Sequence, residues 1–134
     1  MSLEPFECVI HGKTKAYVYL MKKGVAKGRW RRTCVLCRKE EVHKQWQEIK
    51  IATIKAYGGK CECCGEVEPR FLTIDHKNGN GKEHRKSVGR GWRMYLWLAK
   101  QGFPKDDYRL LCYNCNCARG QYGRCPHEEK GEIK

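Results

Sequence analysis

Four short pairs of cysteine and histidine, each with two residues between its members, constrain this chain more than any other feature. They are Cys8 with His11, Cys34 with Cys37, Cys61 with Cys64, and Cys112 with Cys115. A two-residue gap lets a tight turn aim both side chains at one tetrahedral ion. One such pair means little, but two followed by partners at a plausible distance are strong. Joining nearest neighbours gives a first zinc site of Cys8, His11, Cys34 and Cys37, and a second of Cys61, Cys64, Cys112 and Cys115. Cys63, Cys117 and Cys125 are left over. Cys63 and Cys117 are expected to be spectators. Cys125 and His127 are the alternative source of a ligand for the first site.

Ten cysteines in 134 residues suit either a secreted disulfide scaffold or an intracellular metal protein. The start, Met1 to Cys8, has no apolar run of the ~7–15 residues a secretion signal needs, and no later run is apolar enough to span a bilayer. The expectation is a reducing cytoplasm, with thiols free to bind metal, and the spacing favours zinc.

Between the ligands of the first site lie Tyr17-Val18-Tyr19-Leu20-Met21, a glycine turn, and Gly28 to Thr33. Aromatic and β-branched residues on both sides of glycine read as a hairpin, so 8–37 is expected to be a zinc ribbon. It is too small to fold without its metal. Residues 38–57 lack Gly and Pro, and Val42, Trp46, Ile49, Thr53 and Tyr57 recur at helical spacing. That stripe is expected to be core, with Lys39, Lys44, Lys50 and Lys55 on the other face, and Gly58-Gly59 ends the helix. Beyond it come a knuckle, a strand over 70–74, a polar glycine-rich loop over 77–86, a short helix over 92–101, a strand over 108–112 and a helix from about 116 to 121. Trp92, Tyr95 and Trp97 read as core. Residues 128–134 read as a frayed tail. The organisation expected is 1–57, ribbon plus linking helix; 58–127, a second zinc-stapled module; and the tail.

Charge narrows the partner. The chain carries 28 Lys and Arg against 15 Asp and Glu, a formal +13. Two zinc ions and seven thiolates would lower this to about +10. So basic a protein seeks polyanions, of which nucleic acid is the commonest.

Asp75 and His76 stand side by side after the apolar Leu72-Thr73-Ile74. Adjacent side chains on a strand face opposite ways, but at a strand end both can converge on one substrate. The second site ties Cys61 and Cys64 to Cys112 and Cys115, and so draws this strand toward the helix start at Asn116. Four thiolates leave that zinc no open position, so a catalytic ion has to be a separate one. The plainer readings are a turn cap for Asp75, a structural histidine for His76 and a helix cap for Asn116. His84 reads as a third metal ligand, a phosphate contact or an ordinary loop residue.

Asp-His at a strand end followed by Cys112-Tyr113-Asn114-Cys115-Asn116 resembles the HNH superfamily of ββα-metal (His-Me finger) endonucleases. Leu111 to Asn116 with Gly120 after it is similar to the recombination endonuclease VII branch. The Gly59-Lys60-Cys61 start, the Asp75-His76-Lys77-Asn78-Gly79 loop and Cys125-Pro126-His127 resemble small phage-encoded HNH proteins. The likeness covers roughly 58–127 well and 8–57 more loosely. It implies a small α+β zinc-stabilised protein whose second module is a ββα-metal nuclease with a four-cysteine zinc site. Asp75 would be a metal ligand, His76 the general base and Asn116 a second metal ligand through its amide oxygen. The pattern departs at Asp107, which stands where an asparagine usually braces the loop carrying the base.

The chemistry is consistent with those roles. A carboxylate and an amide oxygen suit Mg²⁺ or Mn²⁺, and an imidazole of pKa ~6.5 can take a proton from water at neutral pH. His76 must then stay off the metal, oriented by a carbonyl or another side chain. Lys82, Arg85 and Arg119 are candidate phosphate contacts. The expectation is a DNA endonuclease with two structural zincs and one catalytic divalent ion, acting on duplex or branched DNA in the cytoplasm, the host's if phage-encoded. The rival is a non-catalytic zinc-ribbon protein that binds nucleic acid.

Overall fold

The computed structural model describes residues 1–129. They form two compact units that divide between Trp46 and Gln47, within one long helix. The protein is a small α+β fold with cysteine and histidine clusters in both units.

The first unit is an antiparallel sheet in the order β1-β2-β3, with β1 Ser2–Cys8, β2 Gly12–Leu20 and β3 Trp30–Cys34. Cys8 pairs with Gly12 and Ala16 with Cys34, so the sheet register sets the two halves of the cysteine group close together. Gly12, at a positive φ of 65°, closes the turn that carries His11. The strand β1 had no clear sequence signal because Pro5 interrupts it. Proline lacks the N–H of an inner ladder, and β1 is an edge strand, where this is tolerated. Only Cys8, Ala16, Val18 and Cys34 are buried in residues 1–46. So thin a core gives the sheet little hydrophobic stabilisation of its own.

The helix expected over 38–57 is α1 Val35–Ala56. It begins directly after β3, so Cys37 lies in its first turn and the expected all-strand ribbon ends in a helix instead. Three-residue spacing puts Cys34 and Cys37 on one side of that turn. The expected stripe is buried only toward its C-terminal end: Val42 is exposed, whereas Thr53 and Tyr57 are buried, Tyr57 together with Ile54 in the core of the second unit.

That core is built on the β4–β5 hairpin, with β4 Leu72–His76 and β5 Tyr108–Cys112. Leu72, Leu98, Leu110 and Leu111 are fully buried. Each leucine so removed from water contributes about 1.5–3 kcal/mol. The residues expected to begin the first strand form a 3₁₀ turn at Pro69–Phe71, capped by Glu68, and the strand runs on through Asp75 and His76. The loop expected over 77–86 is half helix. A turn over 77–80 leads into α2 Gly81–Val88, followed by α3 Trp92–Lys100. The glycines and asparagines that suggested a loop occupy only the turn and the helix start. Tyr95 is buried and Trp97 packs on the core, while Trp92 stays largely exposed.

Helix α4 Tyr113–Tyr122 follows β5 directly and packs on both strands. It starts three residues earlier than expected, with the Cys112 sulfur accepting the Cys115 backbone N–H at 3.4 Å as a cap. The expected frayed tail begins inside a short helix, α5 Pro126–Glu129, where Glu129 pairs with Arg124 at 3.0 Å. The rest of that tail, 130–134, lies outside the described residues.

Candidate metal centres and nuclease site

Cys8 and His11 lie at the β1–β2 turn, and Cys34 and Cys37 at the β3–α1 junction. Their ligand atoms all lie within 4.8 Å of one another. Zinc bonds of ~2.3 Å to sulfur and ~2.0–2.1 Å to nitrogen give tetrahedral edges of about 3.8 Å (S···S) and 3.6 Å (S···N). The Cys8 and Cys37 sulfurs are 3.6 Å apart, and His11 Nδ1 is 3.4–3.8 Å from the three sulfurs. His11 Nε2 bonds Glu40 Oε1 at 3.0 Å. A carboxylate behind the ring fixes the tautomer that presents Nδ1 to a metal. The backbone N–H groups of His11 and then Ile10 lower the Cys8 thiol to about 6. Bonds to Cys8 and Glu40 raise His11 to about 9. A thiol that ionises so readily is a ready metal ligand.

The second group, Cys61, Cys64, Cys112 and Cys115, assembles as the spacing predicted, with Cys64 and Cys112 sulfurs 3.7 Å apart. The Glu62 N–H donates to the Leu110 carbonyl at 2.9 Å, which holds the first knuckle against β5.

A third group was missed. Cys63, Cys115, Cys125 and His127 also lie within mutual ligand distance. His127 Nδ1 is 3.4 Å from Cys115 Sγ and 3.3 Å from Cys125 Sγ. Cys63 is therefore not a spectator, and Cys125 and His127 join the second unit rather than the first site. Among the described residues three groups, not two, are suited to zinc, and Cys115 belongs to two of them. Burial and the surrounding thiols of Cys112, Cys125, Cys64 and Cys63 push the Cys115 thiol far up. Cys117 is exposed and, among the described residues, belongs to none of these groups.

The Asp75–His76 pair sits at the C-terminal end of β4. Regular pairing continues to the last residue, with Asp75 opposite Arg109 and His76 opposite Tyr108. Alternation therefore holds. His76 is buried with Leu72 and Ile74, while Asp75 shares the other, half-buried face with Thr73. The strand end does not by itself turn the two side chains to one side. Asp75 Oδ2 accepts a bond from Arg109 Nε at 2.7 Å. Asn116 is half-buried in the first turns of α4.

The orienting partner of His76 is a side chain. His76 Nε2 and His84 Nδ1 are 2.8 Å apart. His84 is wedged against Trp97, with ring centroids 4.4 Å apart, and beside Tyr108 at 5.8 Å. Its own Nε2 is buried without a hydrogen-bond partner among the described residues. The other ring nitrogen of His76, Nδ1, faces Gly81, where an added Cβ would approach to 3.1 Å. Burial lowers the His76 pKa, the charge of His84 adds to this, and Asp75 opposes both. Asp107 does brace the following turn. Its carbonyl accepts the Lys77 N–H at 2.9 Å and its carboxylate accepts the Asn78 amide at 3.3 Å. Sequence spacing could not have exposed the His84 contact, because it depends on α2 folding where a loop was expected.

Of the candidate phosphate contacts, Lys82 and Arg85 are exposed on α2. Arg119 is half-buried and bonds the Glu128 carboxylate, so it is not among the exposed cations. Among the described residues, no helix is long and apolar enough to cross a membrane. Comparison with protein-family models, with curated proteins and with solved structures gives no match.

Proposed function

We propose that the chain is a divalent-metal-dependent DNA endonuclease of the HNH, ββα-metal type. One observation carries the reading. The hairpin bearing Asp75 and His76 and the helix bearing Asn116 follow one another and are stapled by the group Cys61, Cys64, Cys112 and Cys115. In this reading His76 is the general base. Its Nε2 is engaged by His84, which leaves Nδ1, the ring nitrogen beside Gly81, to take the proton of water. A depressed pKa keeps that ring neutral at physiological pH.

Asp75 and Asn116 are the residues that would hold Mg²⁺ or Mn²⁺. Their hard oxygen donors fit such an ion: Arg109 occupies Oδ2 of Asp75, and Oδ1 remains for a cation. When bound, the ion would offset charge on the scissile phosphate and its leaving oxygen. The basic surface, including Lys82 and Arg85, supplies attraction for duplex or branched DNA. The products are a 5′-phosphate and a 3′-hydroxyl, as the family resemblance implies.

The Asp75–Arg109 pair favours the rival reading of a non-catalytic zinc protein that binds nucleic acid, since it already neutralises the carboxylate. Nicking of supercoiled plasmid with added Mg²⁺ or Mn²⁺ separates the two. The nuclease reading expects ion-dependent nicking that His76→Ala abolishes with zinc content unchanged. Salt-sensitive DNA binding without cleavage by the wild type, or equal cleavage by His76→Ala, would overturn it.

A further inference from the structure

We infer that the second unit holds a binuclear zinc centre in which the Cys115 thiolate bridges both ions. Two four-coordinate ions need eight ligand places, and the second and third groups together offer seven residues. Cys115 is the residue common to both. A thiolate sulfur has lone pairs enough to bind two metals, which an imidazole nitrogen does not.

The geometry matches ions on both sides of that sulfur. On one side, Cys64 and Cys112 sulfurs are separated by 3.7 Å, about the edge of a zinc–sulfur tetrahedron. On the other, His127 Nδ1 lies 3.4 Å from Cys115 Sγ and 3.3 Å from Cys125 Sγ, close to the sulfur–nitrogen edge of about 3.6 Å. Cys61, Cys115 and Cys125 are almost wholly buried, with relative exposures of 1%, 0% and 1%. Six cysteines are gathered here, four of them buried, Cys63 half-buried and Cys64 exposed, and they form no disulfide. Metal binding would release their six thiol protons, and two Zn²⁺ with six thiolates carry a formal charge of about −2. Arg119 lies close enough to Cys63 to act on it electrostatically, and its Nε is buried without a hydrogen-bond partner among the described residues. A fixed cation at that place offsets part of the cluster's charge. Glu128, which the Arg119 guanidinium also bonds, lies one residue beyond His127, so the same contact anchors α5 with its ligand facing the cluster.

The rival arrangement is a single ion in the second group, with Cys63, Cys125 and His127 as bystanders. Zinc per chain, measured by native mass spectrometry on protein expressed with zinc, distinguishes them. The inference expects three ions in the wild type, counting the one in the first unit. It expects two in Cys125→Ser/His127→Ala and three in Cys117→Ser. Two ions in the wild type would overturn it. A second measurement avoids dependence on a variant that folds poorly. In wild-type protein loaded with ¹¹³Cd²⁺, the Cys115 β-protons should show scalar coupling to two cadmium resonances and those of Cys112 to one. Coupling of Cys115 to a single resonance would refute the bridge.

Discussion

Replacing His84 by alanine tests whether His76 is held as a base and how. The substitution deletes the 2.8 Å Nε2···Nδ1 bond and the ring packed against Trp97 and Tyr108. One such bond contributes about 1 kcal/mol, a factor of about five in the population of correctly aimed rings. If the freed ring swings by ~1 Å, the rate loss grows to about 100-fold. The pH dependence supplies a second signature. Burial chiefly lowers the His76 pKa, followed by the His84 charge. Truncation admits water and removes that charge, so the pKa climbs back toward ~6.5. The base acts when neutral. The wild-type acid limb therefore lies below ~6.5, and the variant's lies higher. Stability follows the same sign. Above ~6.5 the ring is neutral in both states and this group adds no pH dependence. As pH falls below that, the unfolded chain takes the proton first, and native stability is lost down to the folded pKa. His84→Asn places an amide near the former Nδ1 and keeps more of the burial. It should recover much of the plateau rate while leaving the acid limb above the wild type's. Plasmid nicking across pH, beside NMR titration of the His76 imidazole, reads both quantities. Wild-type plateau rates and an unmoved His76 titration in His84→Ala, with zinc retained, would refute the positioning role.

Three further outcomes follow from single contacts. Gly81→Ala puts a methyl 3.1 Å from the His76 ring nitrogen, where the backbone is not left-handed; nicking should fall at least ~10-fold, with a stability loss of about 1–3 kcal/mol in urea unfolding. Glu40→Ala removes the carboxylate behind His11, and chelator competition should show ~10–100-fold weaker zinc binding at the first group alone. Leu110→Ala empties a fully buried position on β5 and should cost about 2–5 kcal/mol in chemical denaturation.

What the sequence made legible was what depends on local spacing. Cys61 and Cys64, three apart in a turn, and Cys112 and Cys115, three apart at a helix start, announce one group suited to a metal ion because the chain between the members of each pair is too short to aim them elsewhere. The strand at Tyr108–Cys112 showed through the apolar Leu110-Leu111-Cys112 that follows the polar Asp106-Asp107. Strand β1 did not show, because Pro5 argues against a strand unless one knows it lies at an edge. Helix α2 was hidden by Asn78, Gly79, Asn80 and Gly81, which signal a turn without saying that a helix starts within it. The helix then delivers His84 to His76, a contact eight residues apart that no spacing rule supplies.

The third metal group shows the same limit more sharply. Cys63 lies inside the gap of the Cys61–Cys64 pair, and Cys125 with His127 has one residue between its members, not two. Neither pattern reads as half of a site. They become one only because α4 carries Cys115 between them and Arg119 ties Glu128 back to that helix. A pairing rule assigns each cysteine once, and so cannot represent a sulfur with two roles. The density of thiols around Cys115 is therefore information of the fold, and it turns the stapling element into a larger centre. This also fixes an order of dependence. Losing His127 should leave the hairpin clamped through Cys61, Cys64 and Cys112 with Cys115, whereas losing Cys115 removes a ligand from both ions and releases α4 from the strand that carries Asp75 and His76.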